Sequence, residues 1–139
     1  MTQIILKAHA GIGAEAAGEA LVASDNFSAR YDLDRINGVF SRPNHVLYGK
    51  SYVGKILVLN AAKGGVATAW MLREMTARGM APAALLLNFA NPIMAQGAAF
   101  GGVPLMDRFD GDVTLLIRNG DRVRVAPARG EVVIERTAG

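Results

Sequence analysis

Residues 55–88 constrain the fold more than any other part of the sequence. The segment KILVLN (55–60) is a continuous apolar run, which is typical of a strand covered on both faces. The turn Lys63-Gly64-Gly65 follows, and then a stretch with helical spacing stops at Gly79. A second apolar run, APAALLLN (81–88), comes next. A strand, a helix and a strand of these lengths predict a right-handed βαβ unit with parallel strands.

The flanking segments predict a mixed sheet around this unit. Strands are predicted at 3–10, 18–24 and 103–106, and a helix is predicted after the Asn91-Pro92 pair. Asp112 is predicted to cap one further helical turn or two, and the segment from Asp121 to Glu135 alternates and folds back at Pro127 to Gly130. We therefore expect an α/β fold with a mixed, partly parallel sheet and a closing C-terminal hairpin, in one domain over residues 1–139.

Composition excludes several classes of protein. The 139 residues are 51% hydrophobic and 19% charged, with no apolar run of the roughly 20 residues that a membrane span needs. No secretory signal is visible, so a cytoplasmic location is expected. The net charge of +3 comes from scattered basic residues with few aromatic residues around them, which disfavours nucleic-acid binding. Because the chain has no cysteine, it has no thiolate to hold zinc or an iron-sulfur cluster.

The Lys63-Gly64-Gly65 turn is a candidate anion site. Unpaired N–H groups at the start of a helix attract anions, and glycine lets a ligand approach the backbone closely. The alternative is that these glycines only turn the chain tightly. The long segment 25–51 has no sustained periodicity, and we expect it to face the same cleft as the turn. Trp70 and Met71, at helical spacing, are predicted to pack in the core.

Four segments carry a resemblance to a known family. They read GEALVASD (18–25), HVLYGKSYVGKILVL (45–59), KGGVAT (63–68) and GMAPAALLLNFANPIMAQGAAFGGVPLM (79–106). In this order and spacing, the sequence resembles the small subunit, or swivel domain, of the aconitase X family. The resemblance implies a swivelling β/β/α fold that closes over a larger partner subunit, with an iron-sulfur cluster in that partner and none bound by this chain. It also implies dehydration of a small hydroxy acid, since family members are known for phosphomevalonate and for cis-3-hydroxy-L-proline.

The sequence departs from the family pattern at its candidate catalytic position. The family turn usually reads Gly-Arg-Gly-Ser-Ser-Ser with a serine as proton acceptor, and that serine position falls on Gly65. Lys63 keeps the charge of the arginine but loses its planar fork. Thr68 supplies the next hydroxyl, either as a replacement catalytic group or as a helical threonine bonded to its own backbone. Arg30 and Ser28 are candidate substrate contacts or ordinary loop residues.

Three functions follow from these features. The leading hypothesis is the small subunit of an aconitase X-type hydro-lyase, with Thr68 as its catalytic residue and a substrate site at Lys63, Gly64 and Gly65. The second is a non-catalytic binding or regulatory module that has lost the serine base, and the third is a free-standing small-molecule binder. For the chain alone we expect neither bound iron nor dehydratase activity, and near-stoichiometric iron in the purified chain would contradict this.

Overall fold

The computed structural model describes residues 2–26, 28, 32–62 and 66–136, and of residues 66–69 it describes the backbone alone. Its main sheet has seven strands in the order β1-β9-β8-β2-β5-β6-β7. These strands are β1 (Thr2–Lys7), β2 (Ala16–Val22), β5 (Ile56–Ala61), β6 (Ala84–Phe89), β7 (Leu105–Met106), β8 (Arg122–Ala126) and β9 (Glu131–Arg136). A separate two-stranded sheet contains β3 (Leu33–Asp34) and β4 (Val39–Phe40). The helices are α1 (Val66–Ala77), α2 (Pro92–Gly101) and α3 (Val113–Leu116).

One half of the main sheet is parallel. Strands β2, β5, β6 and β7 run in the same direction, and β5 is connected to β6 through α1, which confirms the predicted βαβ unit. Leu57, Leu59, Leu85 and Leu87 are fully buried on the face that α1 and α2 cover. Ile56, Val58 and Leu86 are buried on the opposite face, with Val113 of α3. Burial on both faces accounts for the continuous apolar runs in the sequence.

The two long helices pack closely on one face of this parallel half. Asn91 caps α2 by accepting a hydrogen bond from the Met94 N–H at 2.8 Å, and proline follows at the first helical position. Gly101 allows the close approach, since a Cβ there would lie 2.8 Å from the Leu72 Cβ of α1. Trp70 was predicted to lie in the core, but its side chain is 62% exposed, so this prediction was wrong. Met71, the neighbouring residue, is half-buried and packs against the core.

The other half of the sheet is antiparallel. The hairpin of β8 and β9 turns through a 3₁₀ segment at Pro127–Arg129, where the sequence predicted the fold-back. β1 pairs with β9 over six residues, and β8 pairs with β2. β2 is therefore the strand at which the antiparallel and parallel halves join.

The segment 25–51 is more regular than its sequence indicates. β3 and β4 form a short hairpin around the Asn37-Gly38 turn, in which Gly38 adopts a φ of +72°. Leu33, Phe40, Leu47 and Tyr52 anchor the segment in the core on the helical face of the sheet. Within the described part of the chain, no helix is long and apolar enough to cross a membrane.

Candidate functional site

Asparagine side chains cluster at the carboxyl end of the parallel strands. Asn60 lies near the end of β5, and Asn88 occupies the neighbouring position near the end of β6. Asn26 follows β2 by four residues, and its neighbour Asp25 accepts a hydrogen bond from the Asn60 N–H through its backbone carbonyl at 2.8 Å. Open α/β sheets bind ligands beyond the carboxyl ends of their strands, so this edge is the natural place for a site.

The three asparagine side chains form a hydrogen-bonded row, which we call the asparagine row (Asn26, Asn60 and Asn88). Asn88 Nδ2 donates to Asn60 Oδ1 at 3.1 Å, and Asn60 Nδ2 donates to Asn26 Oδ1 at 3.2 Å. Asn88 Nδ2 also donates to Asp112 Oδ1 at 2.8 Å, while Asn88 Oδ1 accepts from the Val113 N–H at 2.8 Å. The row therefore connects the ends of β5 and β6, and the loop that follows β2, to the first residues of α3.

Asp112 terminates the row with a charge. Its carboxylate caps α3 and accepts hydrogen bonds from the Thr114 hydroxyl at 2.6 Å and the Thr114 N–H at 2.9 Å. The hydrogen bonds from the Thr114 and Asn88 side chains hold the pKa of Asp112 below its ordinary value. The carboxylate is accordingly ionised at neutral pH, and it acts as a hydrogen-bond acceptor.

His45 holds the other end of the row in place. Its ring is buried and stacked on Phe40, with the centroids 4.6 Å apart. Its Nδ1 accepts from the Leu47 N–H at 3.0 Å, so its Nε2 carries the proton and donates to the Asn26 carbonyl at 2.8 Å. The hydrogen bond from Nε2 fixes the backbone of Asn26 from the side of the long loop.

Two carboxylates and an arginine surround His45. Asp32 pairs with the Arg42 Nε, and its other oxygen accepts from the Ser28 N–H at 2.9 Å. Asp25 accepts from the Asn26 N–H at 2.7 Å and the Val46 N–H at 3.2 Å. Burial raises the pKa of Asp25, but these N–H groups, with the nearby His45 and Arg42, outweigh burial, and the pKa lies below its ordinary value. The carboxylates thus organise the loop at the edge of the sheet.

The residues predicted from sequence fall in three groups. Lys63, Gly64, Gly65 and Arg30 lie outside the described residues. Thr68 lies in the first turns of α1, and its side chain also lies outside the description. Ser28 is buried, and its backbone closes a turn with Asp32, whose N–H donates to the Ser28 carbonyl at 3.0 Å. The roles proposed for all six residues remain predictions.

The start of the long loop lies beside the carboxyl end of β5, whereas the Lys63 turn, predicted to face the same cleft, lies outside the described residues. The contact between Asp25 and Asn60 places the start of the long loop beside this strand end. A cavity of about 220 Å³ opens further along the same edge, with His9, Asp107 and Arg108 in its lining. A larger cavity of about 540 Å³, lined in part by Lys50 and Lys55, shares no residue with the asparagine row.

Comparison with known proteins identifies the family. The family model of the aconitase X swivel domain matches residues 5–134. The chain belongs to the aconitase X swivel-domain family. The aconitase X swivel domain described here is 37% identical over 129 residues to the phosphomevalonate dehydratase small subunit of Methanothrix thermoacetophila, covering 93% of each chain. It is 34% identical over 125 residues to the corresponding subunit of Methanocella arvoryzae, covering 90% of this chain and 95% of the relative.

Solved structures confirm the swivel-domain fold. The crystal structure of Thermococcus kodakaraensis aconitase X in its holo-form superposes with a TM-score of 0.87 at 28% identity, covering 96% of this chain and 99% of that chain. The solution NMR structure of a UPF0107 protein superposes with a TM-score of 0.84 at 29% identity, covering 96% and 100%. The predicted fold class, a mixed α/β swivel domain, is therefore correct.

The described residues of this swivel domain do not fit a metal cluster. They contain no group of three or more histidine, aspartate or glutamate side chains placed to hold a metal ion, and the sequence has no cysteine. An iron-sulfur cluster needs such ligands. We therefore derive no chemical step of this chain through a cluster, and its location in a partner subunit stays a prediction.

Sequence reasoning missed the asparagine row. Asn60 and Asn88 are the last residues of the apolar segments KILVLN and APAALLLN. A polar residue that ends each of two adjacent parallel strands predicts a shared polar edge. Asn26 carried no such signal, because it follows β2 by several residues and is positioned by contacts with residues distant in sequence.

Proposed function

We propose that this chain is the small subunit of an aconitase X-type dehydratase that acts with a larger subunit carrying an iron-sulfur cluster. The observation that supports this most strongly is the match to proteins named as dehydratase small subunits over 90% or more of both chains. The proposed substrate class is a small hydroxy acid, and the names of these relatives make phosphomevalonate the first compound to test.

In this reaction a base removes a proton from the carbon next to the hydroxyl-bearing carbon. The C–H electron pair forms the double bond, and the hydroxyl departs with a proton as water. The contribution of this chain is to bind the anionic part of the substrate and to hold or move that proton. Lys63 with the Gly64 and Gly65 amides is proposed for the first role, and Thr68 for the second.

Reconstitution tests the proposal. The chain is co-expressed with the large aconitase X-type subunit of the same organism, and water loss is assayed with 5-phosphomevalonate and with cis-3-hydroxy-L-proline. Activity that requires both subunits supports the proposal. A loaded and folded complex that dehydrates neither compound, nor other hydroxy acids, contradicts it.

Two variants separate binding from chemistry in that complex. Lys63→Ala is expected to raise KM by the equivalent of about 1.5–3 kcal/mol, because it removes one charge-assisted contact present in ground and transition states. Thr68→Val preserves shape and is expected to lower kcat by a factor of about 100 or more. A kcat within a few-fold of the unmodified complex makes Thr68 structural.

The second candidate function is a non-catalytic module with the same fold. Glycine at position 65, where the family usually has its serine base, favours this alternative. The two candidates differ in one measurement, since a regulatory module binds the large subunit without being required for turnover.

A further inference from the structure

The direction of the asparagine row is fixed at one end by a backbone group. The Val113 N–H can only donate, so the Asn88 atom that faces it is the oxygen. The Asn88 amide nitrogen must then face Asp112 and Asn60, and Asp112, an ionised carboxylate, can only accept. The orientation of the Asn88 amide therefore follows from its neighbours.

The same reasoning passes along the row. Asn60 receives the Asn88 N–H on its oxygen, so its nitrogen faces Asn26. Asn26 receives that N–H on its own oxygen, and its nitrogen points away from the row. Within the described residues, both side-chain N–H groups of Asn26 and the second side-chain N–H of Asn60 have no hydrogen-bond partner. The exposed end of the row thus presents three donors, while each of its two amide oxygens already accepts one hydrogen bond.

We infer that Asn26 and Asn60 bind an anionic oxygen of the ligand, a carboxylate or a phosphate, and that Asn88 is the positioning residue that makes them donors. Three N–H groups that converge from two side chains match the chemistry of such an oxygen. The site lies at the carboxyl edge of parallel strands, and Asn60 precedes the proposed Lys63 turn by three residues in sequence. The inference deepens the proposed function and rests on it for the identity of the substrate.

The backbone of the two donor residues is held firmly. Asn26 is fixed by the His45 Nε2–H on its carbonyl and by the Asp25 carboxylate on its N–H. The Asn60 N–H is bonded to the Asp25 carbonyl. Donors that are positioned before the ligand arrives lose little conformational entropy on binding, which raises affinity.

Nuclear magnetic resonance of the ¹⁵N-labelled full chain tests the inference without any activity. Inorganic phosphate and acetate are the probes, and the readout is the side-chain NH₂ signals of Asn26 and Asn60. We expect saturable shifts at both signals with at least one probe, and the stronger probe identifies the anionic group. The side-chain NH₂ of Gln3, exposed on β1 at the far edge of the sheet, serves as the internal control. Titrations that leave Asn26 and Asn60 unshifted with both anions overturn the inference.

Isosteric variants give the sharper result. Asn26→Asp keeps the oxygen that accepts from Asn60 and removes both free donors, so the dissociation constant is expected to rise at least about tenfold. Gln3→Glu makes the same charge change on β1, at the far side of the sheet, and we expect it to leave the affinity for the anion within about twofold.

The Asn88→Asp variant tests the positioning role of residue 88. An aspartate there can no longer donate to Asn60, so Asn60 turns its amide nitrogen toward position 88 and the direction of the hydrogen bonds along the row reverses. Anion binding should then be lost although residue 88 does not touch the ligand.

The dehydratase complex separates this inference from the proposed function. In an active complex, Asn26→Asp is expected to raise KM at least about tenfold and to change kcat much less. Responsive asparagine signals in a chain whose complex has no dehydratase activity support the inference and contradict the proposed function. An active complex whose KM is unchanged by Asn26→Asp contradicts the inference and leaves the proposed function standing.

Discussion

Two polar networks of this domain differ in what they leave open. In the antiparallel half, Asp121 is buried and accepts from Arg136 Nη2 at 2.7 Å, from Arg136 Nε at 3.1 Å and from the Arg118 N–H at 2.9 Å. Arg136 Nη2 also donates to the Leu116 carbonyl at 3.1 Å. At the carboxyl edge of the parallel half, the asparagine row ends in donors that no described residue accepts. A closed network stabilises the fold, whereas an open one is available to a ligand.

The largest effect is expected where the network is closed. Asp121→Ala leaves Arg136 without its carboxylate partner and should lower the free energy of unfolding by about 3 kcal/mol. KM of the proposed dehydratase complex should not change, because the described hydrogen bonds of the Asp121 side chain go to Arg118 and Arg136 and not to the asparagine row. Urea unfolding and steady-state kinetics measure the two quantities. A raised KM in the folded variant would show that the two networks are coupled.

His45 should behave differently, since it supports the open network. His45→Leu leaves the Leu47 N–H and the Asn26 carbonyl without partners and should lower the free energy of unfolding by about 2 kcal/mol. It should also raise KM, because Asn26 loses its support. His45→Gln can restore the donor to the Asn26 carbonyl, and we expect it to recover KM more fully than stability. A variant that loses stability at unchanged KM argues against the role of His45 at the site.

Tyr52 offers a change of opposite sign. Its ring is fully buried, and its hydroxyl has no hydrogen-bond partner among the described residues. Burial raises the pKa of Tyr52, as expected for a phenol removed from water. Tyr52→Phe removes the unsatisfied hydroxyl and should increase the free energy of unfolding by about 1 kcal/mol in urea unfolding. A loss of stability instead would mean that the hydroxyl has a partner in solution.

The smallest effect concerns acid pH at the open network. The pKa of Asp25 is lower in the folded chain than its ordinary value of 3.8, so its contribution to stability is present above that value. The contribution is lost as the pH falls through the lowered folded pKa. Since Asp25 accepts the Val46 N–H, the Val46 amide chemical shift should titrate with a midpoint below 3.8. A midpoint at or above 3.8 contradicts the assigned hydrogen bonds, and Asp25→Asn is the control that should abolish the titration.

The sequence predicted the fold more fully than the site because the two depend on different kinds of information. Apolar runs such as 55–60 and the Asn91-Pro92 cap act locally, so periodicity and capping preferences are enough to find them. The prediction that Trp70 lies in the core failed because helical spacing does not show how much of the apolar face of α1 is covered. Trp70 lies at the outer side of the contact between α1 and α2, where its ring meets that of Phe100. Periodicity could not predict the β3–β4 hairpin, because strands of two residues are too short to show an alternating pattern.

The candidate site combines residues distant in sequence, and this limits what a pattern can predict. Asn88 bonds to Asp112, 24 residues later, and Asn60 bonds to Asn26, 34 residues earlier. Each asparagine alone is an ordinary polar residue in the sequence. Their alignment appears only when β2, β5 and β6 are placed side by side, and the direction of their amides depends on a single N–H of α3.

The position of β2 between the two halves has a consequence for the order of folding. β5, α1, β6, α2 and β7 are consecutive in the chain, so their contacts close short loops. β1 instead pairs with β9, and Thr2 lies opposite Arg136, which requires almost the whole chain to be brought together. Because loop closure costs more entropy as the loop grows, the parallel half should form first and the antiparallel half should close last. Damage to the Asp121 network should therefore appear mainly as faster unfolding, with the refolding rate nearly unchanged.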